Sequence, residues 1–280
     1  MTTSVGIDLG TGAVKTVLFN VEDGQVEWLE RRNDKIRQRD PFKLAEEAFN
    51  SVLDSAGLKP EDVQYTATTG DGESIQFSTG HFYSMTTHAR GAIYLEPEAR
   101  SLLDCGALHG RAVKMDERGK VLGYRMTSQC ASGSGQFLEN IARYLGVAQS
   151  EIGELSKQAD DPEVVSTICA VLAETDVINM VSRGISAPNI IKGIHLAMAG
   201  RLAKLLRVIK AGDGVTLLTG GLALDDGLLA ALQENIEEQK IKVLAKCYPD
   251  SPYAGAIGAA LWGAYRYDKL VAEGKLAKAS

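Results

Sequence analysis

The first thirty residues alternate short apolar runs with polar turns. One run begins at Ser4 and ends at Asp8 in a glycine-rich turn, a second covers residues 13–19, and a third covers residues 25–30 after the turn at residues 22–24. Short apolar runs bounded by Gly and Asp are typical of strands joined by tight turns. The start of the chain is therefore predicted to be three consecutive strands.

The same succession begins again 96 residues later. Asp104 ends an apolar run as Asp8 does, and the next turn glycine follows after 16 residues in the first copy (Gly24) and 15 in the second (Gly119). Matching residue types at similar spacing predict two related lobes. We expect residues 1–99 with 253–280 to form the first lobe and residues 100–252 the second, packed around a cleft.

The rest of the pattern is largely helical. Helices are predicted over Pro41–Ala56, Met85–Leu95, Gly135–Leu145, Cys169–Ser182, Pro188–Ala211, Asp225–Gln239 and Tyr253–Tyr265, and further strands over Val63–Gly70, Val215–Thr219 and Lys242–Ala245. Strands mixed with helices in this order predict an α/β fold.

Composition narrows the class of partner. The chain has 280 residues, 45% of them hydrophobic, and a formal net charge of −6. Without a block of Lys or Arg, neither nucleic acid nor an anionic membrane is expected as the main partner. The sequence also has no run of about 18 apolar residues and no signal-like start. We expect a soluble cytoplasmic protein that acts on a small molecule or another protein.

The glycine-rich turn after Asp8 indicates phosphate binding. A phosphate approaches a backbone closely only where no Cβ intrudes and several N–H groups converge. Gly10 and Gly12 meet the first condition, Thr11 offers a hydroxyl donor, and Lys15 offers a counter-charge. The turn differs from a Walker A loop and from a dinucleotide fingerprint because those need a strand-to-helix turn, and this one joins two strands.

Two strand-end carboxylates predict a magnesium site. Asp8 and Asp104 are expected at equivalent positions facing one cleft, where they would hold Mg²⁺ through water. Gly220 and Gly221, after a buried strand, would let the backbone approach a nucleotide. Each motif alone is commonly an ordinary turn. Their combination with the repeat favours a nucleotide site.

Two of the four cysteines have features of metal ligands. Cys130 and Cys169 each precede an apolar-periodic run, at a predicted helix N-terminus that favours the thiolate. Two thiolates are half of a four-cysteine iron–sulfur site, so a second chain would supply the rest. Cys105 and Cys247 are expected to be core or inert thiols.

Several other polar residues have simpler interpretations. Glu139 and Glu174 are expected in the first helical turn after Cys130 and Cys169, where a carboxylate favours the helix dipole. His195 is expected to be a packed residue that ties helices together rather than a ligand. His88 has the same interpretation. The role of His109 stays open.

These residues resemble the BadF/BadG/BcrA/BcrD ATPases of the actin/hexokinase/Hsp70 superfamily. The resemblance covers nearly the whole chain and is carried by these segments: Asp8-Leu-Gly-Thr-Gly, the strand of Asp104, Thr87-His88-Ala-Arg-Gly91-Ala, Cys130-x4-Gly135-x-Phe-Leu-Glu139, Cys169-x4-Glu174, Gly193-Ile-His195 and Thr219-Gly-Gly. It implies two ribonuclease H-like, actin-like lobes with a nucleotide cleft between them. It also implies ATP with Mg²⁺, and a [4Fe–4S] cluster that bridges two subunits through two cysteines from each. Cys130 and Cys169 match those cysteines.

The motifs and the resemblance together give one set of candidate site residues. Asp8 and Asp104 are the candidate catalytic residues, and Cys130 and Cys169 the candidate cluster ligands. The candidate nucleotide-binding residues are Gly10, Thr11, Gly12, Lys15, Gly106, Gly133, Ser134, Gly135, Gly220 and Gly221.

One departure from the family refines the comparison. Many members continue the second aspartate strand with Gly-Gly-Gln-Asp, whereas Gly106 is followed here by Ala107-Leu108-His109. With the short length, this looks most like the small, delta-type ATPase subunits of benzoyl-CoA reductases. The resemblance then implies an oxidoreductase subunit in which ATP hydrolysis changes the lobe angle and drives low-potential electrons through the cluster. The implied partners are a larger homologous ATPase subunit, catalytic ring-reducing subunits and a reduced ferredoxin-like donor.

Three alternatives remain open. An activator of a 2-hydroxyacyl-CoA dehydratase would be expected to keep the fuller Gly-Gly-Gln-Asp motif. A small-molecule kinase of the same superfamily would need a carboxylate base near the γ-phosphate, and the sequence offers no obvious candidate. The third alternative is a partner subunit that binds nucleotide without turnover.

Overall fold

The computed structural model describes residues 1–127, 135–166 and 170–276. The chain divides into two compact units. The first comprises Met1–Pro97, Glu117–Val121 and Pro252–Ser280, and the second comprises Glu98–Asp116 and Leu122–Ser251. No helix in the described ranges is long and apolar enough to cross a bilayer.

The described residues form ten strands and eight helices. The strands are β1 (Thr2–Leu9), β2 (Ala13–Glu22), β3 (Gln25–Lys35), β4 (Tyr65–Gly70), β5 (Gly80–His81), β6 (Ala99–Cys105), β7 (Gly110–Met115), β8 (Val121–Met126), β9 (Val215–Thr219) and β10 (Leu244–Lys246). The helices are α1 (Pro41–Ala56), α2 (Ser84–Leu95), α3 (Gly135–Tyr144), α4 (Ile152–Lys157), α5 (Ala170–Ser182), α6 (Ala187–Val208), α7 (Asp226–Glu238) and α8 (Ala254–Ala272).

The two sheets have the same topology. The first has the strand order β3-β2-β1-β4-β5, and the second, written from the corresponding edge, has the order β8-β7-β6-β9-β10. In each, the first strand pairs antiparallel with the second and parallel with the fourth. The predicted repeat and the α/β class are therefore confirmed.

The central strand β1 is buried on both faces. Val5, Ile7 and Leu9 pack against the apolar face of α1. On the other face, Gly6 lies so close to α8 that a Cβ would overlap the carbonyl oxygen of Ala256. Alternate residues of a strand point to opposite faces. The large apolar residues of β1 therefore pack against α1, and the glycine between them allows α8 to approach the other face.

Local sequence signals account for the bounds of α1, which match the prediction. Asp40 accepts hydrogen bonds from the backbone N–H groups of Phe42 and Lys43, and Pro41 occupies the first turn. Gly57 ends the helix in the left-handed conformation with φ of 68°. A side-chain N-cap, a first-turn proline and a left-handed glycine are the expected helix boundaries.

Several elements differ from the sequence-based expectations, and β3 runs to Lys35 rather than to residue 30. Strand β5 and helix α4 were not predicted, because elements of two and six residues are too short to show periodicity. Helix α8 extends to Ala272 rather than ending at Tyr265, since Tyr267 still packs against the first sheet.

The expectation for Glu139 and Glu174 was also wrong. Each is the fifth residue of its described helix, and the first turns of α3 and α5 contain no acidic residue. The reason in the first case is that α3 begins at Gly135, five positions after Cys130. Glu139 instead forms an exposed pair with Arg143 at 3.7 Å, worth only about 0.3–0.5 kcal/mol.

Candidate functional site

The first glycine-rich turn joins β1 to β2. Asp8 is the penultimate residue of β1 and is paired in register with Lys15 of β2. The Gly10 N–H donates to the Ala13 carbonyl over 3.0 Å, which closes the turn. Thr11 and Gly12 are exposed at its tip. The turn therefore presents backbone and a hydroxyl group to the solvent.

The Asp8 carboxylate is buried between two basic side chains. Its Oδ2 lies 3.6 Å from Lys15 Nζ and 3.8 Å from His88 Nε2, and all three side chains are less than a tenth exposed. A buried carboxylate needs an opposite charge or hydrogen bonds to stay ionised. Both distances exceed those of a direct hydrogen bond, so the Lys15 ammonium compensates the charge without a directional bond.

Two glycines pack against the same carboxylate. Gly70, at the end of β4, has φ of +69°, and a Cβ there would lie 3.0 Å from Asp8 Oδ1 and would overlap the Leu9 carbonyl oxygen. A Cβ on Gly255, in α8, would lie 2.7 Å from Asp8 Oδ2 and 2.8 Å from His88 Nε2. Larger residues at either position would push the carboxylate out of place.

The second turn, between β6 and β7, repeats the first. Asp104 is paired in register with Arg111, and the Gly106 N–H donates to the His109 carbonyl over 3.0 Å. Ala107 and Leu108 fill the tip, and Leu108 is exposed. The absence of the family's Gln and Asp side chains therefore leaves the backbone turn intact.

The charged pair of the second turn is tighter than that of the first. Arg111 donates to Asp104 Oδ2 from Nε over 3.0 Å and from Nη2 over 2.5 Å. Charge-assisted bonds of this kind are among the strongest in proteins.

Gly220 is the counterpart of Gly70. It follows β9 with φ of +85°, and a Cβ there would lie 2.5 Å from Asp104 Oδ1 and 2.7 Å from the Cys105 carbonyl oxygen. No described atom lies within 4 Å of a Cβ built on Gly221. Packing within the chain explains the first glycine, whereas Gly221 is exposed.

Helix α3 begins against the second turn. The Gly135 and Gln136 N–H groups donate to the carbonyl oxygens of Gly106 and Ala107, each over 3.0 Å. The sequence-predicted residues Gly106, Gly135, Asp104 and Gly220 are thus close together in the second unit. Cys130, Gly133, Ser134 and Cys169 lie outside the described residues.

A buried polar network supports the loop after Gly221. His195 of α6 is wholly buried, with Nδ1 2.8 Å from Ser156 Oγ of α4 and Nε2 3.2 Å from Asp225 Oδ2. Asp225 also caps α7 by accepting from the Leu228 N–H over 3.0 Å. His195 is therefore confirmed as a residue that ties helices together.

The charge of Asp225 is stabilised by its surroundings. Burial is the largest single influence and would raise its pKa. The hydrogen bond and charge of His195, with the backbone N–H groups of Leu228 and Gly227, outweigh it, so the pKa of Asp225 lies below its ordinary value.

The two described cysteines differ in burial. Cys105 is a core residue, and burial together with the charges of Asp104 and Asp225 raises its pKa far above the ordinary range. Cys247 is half-buried at the edge of the same core, and burial raises its pKa as well. Both therefore hold a thiol rather than a thiolate near neutral pH, as expected of inert cysteines.

Sequence reasoning missed four residues of these two turns. Arg111 stands 96 positions after Lys15, so the repeat spacing contained that signal. Gly70 was predicted only as the last residue of a strand, because its match to Gly220 depends on strand pairing. His88 and Gly255 reach Asp8 from α2 and α8, and no local pattern connects them to it.

The described residues offer few ligands for a bare metal ion. No group of three or more His, Cys, Asp or Glu side chains comes together within the described ranges. Mg²⁺, however, is commonly held by one or two carboxylates with phosphate and water oxygens. The Asp8 carboxylate fits that requirement, whereas Asp104 is already bonded by Arg111.

Comparison with curated proteins gives two informative relatives. The chain is 74% identical over 275 residues to a benzoyl-CoA reductase subunit of Thauera aromatica, covering 98% of each chain. It is 34% identical over 263 residues to the activator of lactoyl-CoA dehydratase of Anaerotignum propionicum, covering 92% of this chain and 96% of the relative.

Solved structures agree with the fold. The activator of 2-hydroxyisocaproyl-CoA dehydratase from Clostridium difficile, with bound ADPNP, has a TM-score of 0.86 at 25% identity and covers all of both chains. Component A of the (R)-2-hydroxyglutaryl-CoA dehydratase of Acidaminococcus fermentans has a TM-score of 0.84 at 28% identity, covering 96% of this chain and 100% of the other. The two-lobed, actin-like ATPase fold is thereby established.

The family whose sequence pattern matches residues 5–263 is the BadF/BadG/BcrA/BcrD ATPase family. That range includes both glycine-rich turns, both cysteine motifs and the Gly220-Gly221 turn. The chain belongs to the BadF/BadG/BcrA/BcrD ATPase family.

Proposed function

We propose that this chain is the small ATPase and electron-activating subunit of a benzoyl-CoA reductase, coupling ATP hydrolysis to the delivery of low-potential electrons. The observation that carries the proposal is the 74% identity to the Thauera aromatica benzoyl-CoA reductase subunit over 98% of both chains. Identity at that level over the full length favours the same role in the same kind of complex.

The proposed nucleotide contacts follow from the two turns. The turn 10–12 with Lys15, the turn at Gly106 with Gly135, and Gly220-Gly221 offer backbone N–H groups, a hydroxyl group and a cation to phosphate oxygens. Gly133 and Ser134 belong to the same proposal on the basis of sequence alone. Asp8 would hold Mg²⁺ through water, since Lys15 Nζ, at 3.6 Å, balances its charge without bonding to it directly.

The proposed cluster is a [4Fe–4S] centre shared with a second subunit. Cys130 and Cys169 precede α3 and α5 in the sequence, and Cys169 stands directly before the first residue of α5. A helix N-terminus favours the thiolate that iron needs. When bound, ATP supplies the free energy of phosphoanhydride cleavage, and the cluster supplies a one-electron carrier. Two cysteines of a larger homologous ATPase subunit would complete the site.

The proposal includes further partners and a location. The catalytic subunits that bind the aromatic thioester would receive the electron, and a reduced ferredoxin-like protein would supply it. We place the complex in the cytoplasm, which fractionation of the native host would test.

Iron analysis tests the cluster directly. The chain is co-expressed with the larger homologous subunit, purified without oxygen, and assayed for iron and labile sulfide. We expect about four irons per pair, lost in Cys130→Ser and Cys169→Ser but kept in the matched control Cys247→Ser. An iron-free wild type, or iron that survives both substitutions, would contradict the shared cluster.

An activity assay separates the reductase from its nearest alternative. The lactoyl-CoA dehydratase activator, at 34% identity, is the observation in favour of a dehydratase activator. The purified pair is supplied with ATP and a strong reductant, and tested with benzoyl-CoA reductase catalytic subunits and with a 2-hydroxyacyl-CoA dehydratase. Reduction of benzoyl-CoA supports the proposal, whereas activation of the dehydratase alone would replace it. Phosphorylation of a small molecule without electron transfer would restore the kinase alternative.

A further inference from the structure

Helix α2 of the first unit has an outer face of unusual composition. Its inner face is buried and consists of Thr87, His88, Ala89, Gly91 and Ala92. At about 3.6 residues per turn, the opposite face carries Thr86, Arg90, Ile93 and Tyr94, and Tyr83 precedes the helix on the same side. This face has no Lys, Asp or Glu, although the outer face of a surface helix ordinarily carries charged residues.

Two tyrosines are exposed along this face, one on each side of Arg90. Tyr83 is 81% exposed and Tyr94 is 37% exposed. The three residues Tyr83, Arg90 and Tyr94 are called the α2 stripe below. Tyrosine and arginine are enriched in protein–protein interfaces, where Lys, Glu and Asp are depleted. The composition of the α2 stripe is therefore that of an interface.

The guanidinium of Arg90 has no bonded partner among the residues that the structure describes. Its side chain is half-buried, and burial lowers its pKa. Arg32 and Arg111, by contrast, are each paired with an aspartate.

An anionic partner would offset this loss of hydration. The nitrogens of Arg90 are accessible, since none is among the buried polar atoms that lack a partner. A guanidinium binds most strongly to a carboxylate or a phosphate, which can accept from two of its N–H groups. Arg90 is therefore suited to an anionic group from outside the described part of the chain.

The length of the α2 stripe favours a protein over a small anion. Tyr83 and Tyr94 are separated by eleven positions, which is about 16 Å along a helix. A single phosphate bound at Arg90 would leave both tyrosines uncovered. Tyr94 is also held in place by Phe19, with ring centroids 6.0 Å apart, so it presents an ordered aromatic surface to a partner.

We propose that the α2 stripe is a docking surface for a protein that presents a carboxylate to Arg90, and that this protein is another subunit of the reductase complex. The inference rests on the proposed function, because that function supplies the partner subunits. Charge complementarity requires the carboxylate. The two tyrosines would exclude water around the ion pair, as the residues that surround strongly contributing interface contacts do.

Binding affinity tests the α2 stripe. The dissociation constants of the chain for the larger homologous subunit and for the catalytic subunits are measured by biolayer interferometry. We expect binding to one of these partners to weaken by about tenfold in Tyr83→Ala and by about thirtyfold in Arg90→Gln. The matched control is Lys43→Gln, which removes an exposed charge from α1 of the same unit and should change the affinity by less than about threefold.

Unchanged affinity of Tyr83→Ala and Arg90→Gln for every subunit would overturn the inference. Thermal unfolding of each variant confirms that it is folded.

Arginine labelling tests the same surface without any substitution. Phenylglyoxal modifies accessible arginines, and peptide mass spectrometry measures its reaction with Arg90 in the isolated chain, in the chain with ADP, and in the assembled complex. We expect Arg90 to react in the isolated chain and to react about fivefold more slowly, or less, in the complex.

Three labelling results would overturn the inference. Protection by ADP alone would assign Arg90 to a small anion. Protection that increases with the concentration of the isolated chain would assign it to a second copy. An Arg90 that is unreactive in the dilute isolated chain, but reactive in urea, would show that its guanidinium is not available to a partner.

The same experiments separate this inference from the proposed function. A folded chain that binds none of the reductase subunits would overturn both. A complex that assembles with Arg90 as reactive as in the isolated chain, and with unchanged affinity in the two variants, would overturn only the inference.

Discussion

At the scale of single residues, Asp225 combines three stabilising tasks. It caps α7 through the Leu228 N–H, accepts a hydrogen bond from His195, and through His195 is linked to Ser156 of α4. These bonds connect three helices to the loop that follows Gly220-Gly221. The geometry of that loop therefore depends on a carboxylate that stays ionised.

We expect Asp225→Asn to lower the free energy of unfolding by about 1–2 kcal/mol at pH 7, because hydrogen bonds to a charged acceptor are the stronger ones. Folding lowers the pKa of Asp225. The ionised carboxylate therefore contributes its full share to the free energy of unfolding above the ordinary carboxyl pKa of 3.8. That share is lost as the pH falls through the lower pKa of the folded protein. Urea unfolding of both proteins at several pH values measures the difference. It should shrink below about pH 4.

The neighbouring Asp226 provides the matched control. It forms an exposed ion pair with Lys157, so Asp226→Asn should change stability by less than about 0.5 kcal/mol at any pH. If the difference in free energy of unfolding between wild type and Asp225→Asn grew as the pH falls, the downward direction given for the pKa of Asp225 would be wrong.

Thiol reactivity should follow burial among the described cysteines. Cys105 is 4% exposed and its pKa is far above the ordinary value, so iodoacetamide at about pH 7.5 should leave it unmodified in the native protein. Peptide mass spectrometry, with a sample labelled in urea as the reference, gives the extent of reaction. Rapid native modification of Cys105 would show that the core of the second unit opens.

At the scale of elements, the contact between α2 and α8 depends on small residues. A Cβ at Gly91 would overlap the Ala254 carbonyl oxygen, and a Cβ at Gly258 would overlap that of Thr87. The two helices therefore approach with backbone against backbone. This packing matters for the site because α2 carries His88 and α8 carries Gly255, both beside Asp8.

Gly258→Ala should therefore lower the free energy of unfolding by about 3 kcal/mol, since the overlapped atom is backbone and cannot move aside. Chemical unfolding measures the loss. The matched helical control is Gly200→Ala in α6, where a Cβ would meet only the Asn235 side-chain oxygen at 3.2 Å. The control should be neutral or slightly stabilising because alanine favours helix, and an equal loss in both variants would contradict the steric argument.

At the scale of the whole molecule, the duplicated sheets bring the same arrangement to both units. In each, a strand-end aspartate, a basic partner and a positive-φ glycine meet at the turn after the first strand. Chain segments far apart in sequence create this arrangement, because Gly70 and Gly220 reach their aspartates from the fourth strand of each sheet.

Replacing either glycine should damage the corresponding turn. Gly70→Ala and Gly220→Ala combine a left-handed backbone with a clash against a backbone carbonyl oxygen, and each should cost about 3 kcal/mol or more of stability and weaken ADP binding. Gly57→Ala is the matched control, because Gly57 also has positive φ, at 68°, but nothing described lies within 4 Å of its Cβ. We expect a loss of only about 1 kcal/mol there. Equal losses at all three sites would mean that the clash contributes nothing.

Much of this architecture followed from local sequence. The bounds of α1 were correct because Asp40, Pro41 and Gly57 act within one helical turn of its ends. The repeat was visible because Asp8 and Asp104 end apolar runs of similar composition. The family followed from short motifs, which are local by nature.

The tertiary structure alone decided what surrounds the two aspartates. The sequence determined that Asp8 and Asp104 end equivalent strands, because alternating apolar residues and turn glycines specify strands locally. It did not determine that His88, Gly70 and Gly255 surround Asp8, or that Gly220 confines Asp104, because those contacts join residues tens or hundreds of positions apart. Distance and direction between side chains set the charge balance of a buried carboxylate, and both exist only once the sheets and helices have packed.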